Sequence, residues 1–119
     1  MNVLYFLDQK WNNKYGLIID KAKAYINANC CRDLPMNEVA EYTGISLAYF
    51  SQLFKLHAGT NFSQYLNQLR IDKSKELLRN RELRIVDIST RVGYRDVKYF
   101  NRIFKKFEGV TPSEYRSES

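Results

Sequence analysis

Apolar residues recur with helical spacing in the first half of the chain. One stripe at positions i, i+3, i+4 and i+7 consists of Met36, Val39, Ala40 and Thr43. Gly44 follows this stripe, and Ser46, a good N-cap residue, comes two positions later. The next helix is predicted to bury Phe50, Leu53 and Phe54. The pattern therefore predicts a helix, a tight turn containing glycine, and a second helix.

The same pattern occurs again fifty residues later. The segment YFSQLFK at residues 49–55 has its counterpart in YFNRIFK at residues 99–105. Four of the five glycines occupy matching positions, Gly44 with Gly93 and Gly59 with Gly109. The apolar positions of the second copy are Ile85, Ile88, Ser89, Val92, Phe100, Ile103, Phe104 and Phe107. A pair of helices joined by such a turn is a helix-turn-helix unit, so the sequence predicts two of these subdomains.

A long helix is predicted to join the two copies at residues 60–79, which contain neither proline nor glycine. Its predicted stripe is Phe62, Tyr65, Leu66, Leu69, Lys73 and Leu77. At about 1.5 Å per residue this helix spans roughly 30 Å, close to the ~34 Å of one turn of B-DNA. The helix therefore has a suitable length for separating two DNA-reading elements.

Further helices are predicted at the two ends of the chain. Residues 17–29 form an amphipathic helix whose predicted face is Leu17, Ile18, Lys21, Ala24 and Tyr25. Thr111, with Pro112 after it and Glu114 three positions on, predicts the start of a short last helix. The predicted organisation is an N-terminal extension or linker remnant at 1–16, a first subdomain at 17–59, a linker helix at 60–79, a second subdomain at 80–116 and a tail at 117–119.

The charge of the chain lies mainly in its second half. The 119 residues are 45% hydrophobic, an ordinary composition for a folded domain, and carry a net charge of +6. Residues 1–60 contribute +1 and residues 61–119, with thirteen basic against eight acidic residues, contribute +5. Such an excess suits a polyanionic partner such as nucleic acid.

The outward faces of the second helix in each pair carry the candidate base-reading residues. In the first copy this face consists of Leu47, Ala48, Ser51, Gln52 and Lys55. In the second copy it consists of Arg95, Val97, Lys98, Asn101, Arg102 and Lys105. Arginine and lysine favour guanine, glutamine and asparagine favour adenine, and small apolar groups contact the thymine methyl. For a single helix, a polar face that only contacts solvent is an equally good interpretation. The duplication of the pattern favours double-stranded DNA as the partner.

Other residues are predicted to contact the DNA backbone. The cations of this set are Lys55, Arg95 and Lys105, and the helix starts are Thr60, Asn61, Thr111 and Ser113, whose amide N–H groups suit a phosphate. Lys106 also lies in a last helical turn, where a cation favours the helix dipole without any DNA. Because its face holds more cations, the second copy is expected to supply more of the phosphate attraction.

No constellation of residues indicates catalysis or a bound metal. Cys30, Cys31 and His57 lack the spacing of zinc ligands, and the carboxylates show no paired arrangement. We therefore expect no enzymatic activity and no cofactor. The longest apolar run, Val3–Leu7, is too short to span a bilayer and no basic segment precedes it, so a cytoplasmic protein without a membrane partner is expected.

Two long runs of the sequence resemble a known family. They are GTNFSQYLNQLRIDKSKELL at residues 59–78 and VGYRDVKYFNRIFKKFEGVTPSEYR at residues 92–116. Both are similar to the DNA-binding domain of AraC/XylS transcription regulators, and the resemblance covers roughly residues 17–116. It implies an all-α fold of about seven helices, in which two helix-turn-helix subdomains joined by a long helix place their recognition helices in successive major-groove segments.

The resemblance also implies site residues and partners. By position, the base-reading residues are Ala48, Ser51 and Gln52 in the first recognition helix and Val97, Lys98, Tyr99 and Arg102 in the second. Family members generally carry a sensing, dimerisation or receiver domain beside this module, a minority are the bare module, and many contact RNA polymerase. The runs are most similar to the C-terminal modules of two-component response regulators, which would make residues 1–16 the end of a linker.

The chain departs from the family pattern at two positions. Ser74 stands where alanine is usual in the long helix, a polar intrusion that we expect to be tolerated. Pro35 stands where a serine or threonine cap is common, so the first helix-turn-helix is expected to start less firmly. The alternative function is that of a helical protein-interaction module with the same fold and no specific DNA binding.

Overall fold

The computed structural model describes the backbone of residues 3–118 and the side chains of residues 14–118. This part of the chain forms seven α-helices and no strand. The helices are α1 (Val3–Asn29), α2 (Met36–Thr43), α3 (Leu47–Ala58), α4 (Phe62–Leu78), α5 (Ile85–Arg91), α6 (Val97–Glu108) and α7 (Pro112–Glu118). The predicted all-α fold with two helix-turn-helix pairs is confirmed.

The chain divides into two compact units. Unit 1 comprises the residues up to Ala28 together with Leu34–Phe62, and unit 2 comprises Asn29–Asp33 together with the residues from Ser63 on. Each unit contains one of the predicted pairs, α2 with α3 in unit 1 and α5 with α6 in unit 2.

Helix α1 differs from its prediction in length and in its buried face. It begins at Val3 and not at Leu17, so part of the predicted extension is helical. Among the side chains of α1 that the structure describes, Ile19, Ala22 and Ile26 are buried, whereas Leu17 is 70% exposed. The predicted face was wrong, since its members Leu17, Lys21 and Ala24 are exposed, whereas the buried stripe consists of apolar residues.

Helix α2, the first helix of the first helix-turn-helix pair, begins without a side-chain cap, as its proline predicted. Pro35 occupies the N-cap position of α2 and no side chain accepts a hydrogen bond there. Glu38 lies in the first turn, where a negative charge favours the helix dipole, and it accepts a hydrogen bond of 2.5 Å from the Tyr25 hydroxyl. This contact to α1 ties down the start of α2.

Helix α4 is shorter than predicted and buries only Phe62 and Leu66 of its predicted stripe. It runs over 17 residues, a length of about 25 Å. Its buried face includes Leu66, Arg70, Ser74 and Leu78, spaced four residues apart, in place of the predicted Leu69 and Lys73. Ser74 is tolerated as expected, because its hydroxyl donates to the Ile71 carbonyl at 2.7 Å.

Unit 2 has a continuous apolar core around α6. Its buried members are Ile71, Leu78, Ile88, Val92, Tyr94, Phe100, Ile103 and Phe104. Helix α4 is also joined to α6 by a salt bridge in which Lys75 donates to Glu108 at 3.0 Å, a contact that raises the pKa of the lysine. Because the core takes up one side of α6, the opposite side is left for function.

Candidate nucleic-acid interface

The turn of the first helix-turn-helix pair is set by its glycine and a serine cap. Gly44 has a φ of 81°, in the left-handed region, and its amide donates to the Ala40 carbonyl at 3.0 Å. The Ser46 side chain accepts from the Tyr49 amide at 3.3 Å and so starts α3. Both features confirm the sequence prediction for this turn.

Helix α3 separates an apolar inner face from a polar outer face. It buries Phe50, Leu53 and Phe54, as predicted. The candidate DNA-contacting residues of this helix, which are Ala48, Ser51, Gln52 and Lys55, are all exposed. The outer face therefore presents a small apolar group, a hydroxyl, an amide and one cation on neighbouring turns.

In the second turn the spacing from the glycine to the cap residue is one residue longer, and the cap residue is different. Gly93 has a φ of 109° and follows Val92, the C-cap residue of α5. The Asp96 carboxylate accepts from the Lys98 amide at 2.9 Å and starts α6, the role of Ser46 in the first copy. The sequence held a signal for this cap, because an aspartate stands just before the predicted apolar stripe of α6.

Helix α6 repeats the division of α3 with a more basic outer face. It buries Phe100, Ile103 and Phe104, as predicted. Of the candidate residues on this helix, Lys98, Tyr99, Arg102 and Lys105 are exposed, whereas Val97 and Asn101 are half-buried. Cations dominate the exposed set, in contrast to the single lysine on the outer face of α3.

The candidate residue Arg95 lies at the start of α6 in a weak ion pair. Its guanidinium is 3.7 Å from the Asp33 carboxylate, and both side chains are highly exposed. Exposed pairs of this kind contribute little stability, about 0–1 kcal/mol. A phosphate can therefore replace the carboxylate as partner of Arg95 at small cost.

The start of the last helix is occupied by a capping box. The Thr111 amide donates to the Glu114 carboxylate at 3.0 Å, and the Glu114 amide donates to the Thr111 hydroxyl at 3.2 Å. The bond from the Thr111 amide to the carboxylate lowers the pKa of the Glu114 carboxyl. A phosphate at Thr111 would compete with this carboxylate, while Ser113 is exposed.

The matching helix start in unit 1 holds the remaining candidate backbone contacts. Helix α4 begins at Phe62, with Asn61 exposed and Thr60 half-buried immediately before it. Both residues therefore lie immediately before the first turn of α4, where backbone amides lack partners within the helix.

Sequence reasoning missed a buried arginine behind the second turn. Arg70 is only 9% exposed, and its guanidinium donates to the carbonyls of Cys30 at 2.6 Å and Arg32 at 2.8 Å. It also lies 5.1 Å from the ring centre of Tyr94, whose hydroxyl donates to Asn67 at 2.7 Å. The signal in the sequence was its place between Leu66 and Ser74, four residues from each.

The structure offers little support for other chemistry. Within the described residues, no group of three or more His, Cys, Asp or Glu side chains could hold a metal ion. Cys30 is buried and Cys31 exposed, both as thiols. In the same part of the chain, none of the helices combines the length and the apolar composition that a bilayer crossing needs.

Comparisons with known proteins agree with this architecture. Residues 39–118 match the family described as "Helix-turn-helix domain". The regulatory protein PocR of Salmonella typhimurium is 35% identical over 98 residues, which are 82% of this chain and 32% of PocR. The chain thus spans about a third of the length of this curated relative.

Solved structures show the same fold. The C-terminal domain of AraT, a response regulator from Geobacillus stearothermophilus, is 38% identical with a TM-score of 0.81, over 86% of this chain and 85% of that domain. A transcriptional regulator from Chromobacterium violaceum, described as containing an AraC-type DNA-binding domain, is 28% identical with a TM-score of 0.78, over 85% of this chain and 90% of the other.

Proposed function

Because this chain belongs to the AraC family of helix-turn-helix DNA-binding domains, we propose that it reads double-stranded DNA through the outer faces of α3 and α6, in successive major-groove segments. The family is one of transcription regulators and not of enzymes, and the protein acts without a catalytic residue or cofactor. Its working compartment is the cytoplasm, where its DNA partner lies.

One observation carries this proposal: the second helix of each pair has an apolar buried side and a polar exposed side. Both helices bury an aromatic and aliphatic side, and both leave their polar side exposed. A helix that carries guanidinium, ammonium and amide groups on such a side matches the donor and acceptor pattern of the major groove. Two copies of this arrangement on one chain suit double-stranded DNA, whose major groove repeats along the helix axis.

The residues proposed to read bases differ in how exposed their side chains are. On α3 they are Ala48, Ser51 and Gln52, all exposed. On α6 the exposed Lys98 and Arg102 are the main readers, and Arg102 suits a guanine because two of its N–H donors match O6 and N7. Val97 and Asn101 are half-buried, so each contributes through the edge of its side chain.

The proposed phosphate contacts are stronger on the second unit. Lys105 and Arg95 accompany α6, whereas Lys55 is the cation on the outer face of α3. The remaining proposed contacts are the helix starts at Thr60, Asn61, Thr111 and Ser113. Since each neutralised phosphate steepens the fall of log K with log salt by about 0.9, most of the salt dependence is expected to come from unit 2.

We also propose that the chain is the output module of a longer regulator. Its similarity to the C-terminal domain of AraT, which is a response regulator, supports a receiver domain as the upstream partner. A sensing domain would serve the same purpose. RNA polymerase is the proposed protein partner once the module is bound to DNA.

Replacing Arg102 with alanine tests the proposed function. On a duplex selected from a random pool, Arg102→Ala is expected to weaken binding by about 1–3 kcal/mol and to relax the preference at one base pair. Fluorescence anisotropy with a panel of single-base variants measures both effects.

Lys106→Ala is the matched control, because it removes a cation from the exposed last turn of the same helix. It is expected to leave the base preference intact. An equal loss on every duplex with Arg102→Ala would contradict base reading by this residue. Failure of the wild-type protein to enrich any sequence would favour the protein-interaction module instead.

A further inference from the structure

Arg102 lies against the ring of Tyr99 on the exposed face of α6. The guanidinium carbon is 5.3 Å from the ring centre, inside the range of a cation–π contact of about 6 Å. The two residues are three positions apart, so they are neighbours on the helix surface. The ring therefore restricts a long side chain that solvent would otherwise leave free to rotate.

The ring of Tyr99 is itself supported from behind. Its centre is 5.8 Å from that of Tyr94, which is only 4% exposed. The Tyr94 hydroxyl donates to the Asn67 side chain at 2.7 Å. Burial raises the pKa of Tyr94 above its ordinary value, so the hydroxyl keeps its proton and continues to donate. Tyr99 thus packs on a ring that is fixed in place.

The fixed ring is anchored at its far side by Arg70. The guanidinium of Arg70 lies 5.1 Å from the Tyr94 ring centre and donates to the carbonyls of Cys30 and Arg32. A continuous series of contacts therefore leads from the Asn29–Asp33 segment through the two tyrosine rings to Arg102.

The first copy of the repeat has the tyrosine without the rest of this arrangement. Tyr49 matches Tyr99, but Gln52 stands at the position of Arg102 and Ile45 at that of Tyr94. The ring of Tyr49 packs edge-on against Tyr15 at 5.6 Å instead. The tyrosine is thus combined with an arginine and a supporting ring only in the more basic copy.

We propose that Tyr99 is a positioning residue, whose ring holds the Arg102 guanidinium in the orientation that reads one base pair. This inference rests on the proposed function, in which α6 contacts bases. It gives Tyr99 a different role from the direct base reading that the family resemblance implies. The aromatic ring carries the effect, and the hydroxyl is dispensable.

A double-mutant cycle with Arg102→Ala tests this role. Tyr99→Phe is expected to keep the base preference, because it keeps the ring. Tyr99→Leu is expected to weaken selection about two- to fivefold at the base pair that Arg102→Ala affects, the range of an exposed cation–π contact. The double variant Tyr99→Leu/Arg102→Ala is expected to bind like Arg102→Ala alone.

The outcomes of this cycle separate the two proposals. If Arg102→Ala changes no base preference, the proposed function fails. If it does, and Tyr99→Leu adds its full effect in the double variant, or Tyr99→Phe loses the preference, the positioning role is overturned. Tyr49→Leu is the matched control and is expected to leave that base pair unaffected.

A measurement on the protein without DNA tests the contact itself. The Arg102 Nε–H resonance is expected to show an upfield ring-current shift in the wild-type protein and in Tyr99→Phe. The shift is expected to disappear in Tyr99→Leu. A wild-type resonance at the random-coil position would overturn the inference, whatever the stability of the leucine variant.

Discussion

Replacing Gly93 with alanine is expected to destabilise unit 2 by about 3 kcal/mol or more. The residue has a φ of 109°, a conformation that costs an L residue about 1–3 kcal/mol. The new Cβ would lie 2.8 Å from Nε of Arg70 and 3.0 Å from the Cys30 carbonyl oxygen. Arg70 must then move and lose its 2.6 Å hydrogen bond to that carbonyl, which is worth about 1.5–3 kcal/mol for a charged donor.

Gly44→Ala is the matched control for this variant. Gly44 holds the corresponding place in the first turn with a φ of 81°, and no described atom lies within 4 Å of the added Cβ. The Gly44→Ala variant is expected to lose about 1–2 kcal/mol of unfolding free energy, from left-handed backbone strain alone. Thermal unfolding followed by circular dichroism measures both, since each kcal/mol lowers Tm by about 4–8 °C in a domain of this size. Equal losses would contradict the role of Arg70 behind the second turn.

Phe104→Ala is expected to cost about 3–5 kcal/mol of unfolding free energy. The side chain is fully buried in unit 2, with its ring centre 5.8 Å from that of Phe100 and 5.5 Å from that of Tyr115. Its removal leaves a cavity between α6 and α7 that neighbouring rings cannot close without leaving their own contacts. Urea unfolding measures the loss.

Phe107→Ala serves as the control on the same helix. Phe107 is half-buried at the edge of the core, so we expect about half the loss of Phe104→Ala or less. The comparison also tests which side of α6 faces inward. A loss at Phe107 as large as that at Phe104 would show that the inner face of α6 is rotated from its assigned position, and the exposed set of candidate residues would change with it.

The helix-turn-helix pairs were predictable because local rules determine them. An apolar stripe, a glycine at the turn and a capping side chain all lie within a few residues of each other, as at Gly44 and Ser46. The outer faces of α3 and α6 followed directly, because a helix that buries three apolar residues on one side exposes the residues between them. The exposure of Lys55 and Lys105 was predicted from this spacing alone.

The features that sequence reasoning missed depend on distant partners. Arg70 is buried because it donates hydrogen bonds to carbonyl groups 40 and 38 residues away in the chain. No pattern of neighbouring residues predicts such a contact. The buried face of α1 was chosen wrongly because two stripes of similar spacing compete there, and the choice depends on what packs against the helix. Tyr99 and Arg102 lie three positions apart on one helix, so their proximity could be predicted from the sequence. The packing of Tyr99 against Tyr94 could be recognised only in the three-dimensional structure.

Selection of bound duplexes from a random pool tests the central claim most directly, with the wild-type protein, Gln52→Ala and Arg102→Ala compared in parallel. The wild-type protein is expected to enrich a motif with two separate blocks. Gln52→Ala is expected to alter one block and Arg102→Ala the other. No enrichment by the wild-type protein, or a change in the same block from both variants, would contradict DNA reading by the outer faces of α3 and α6.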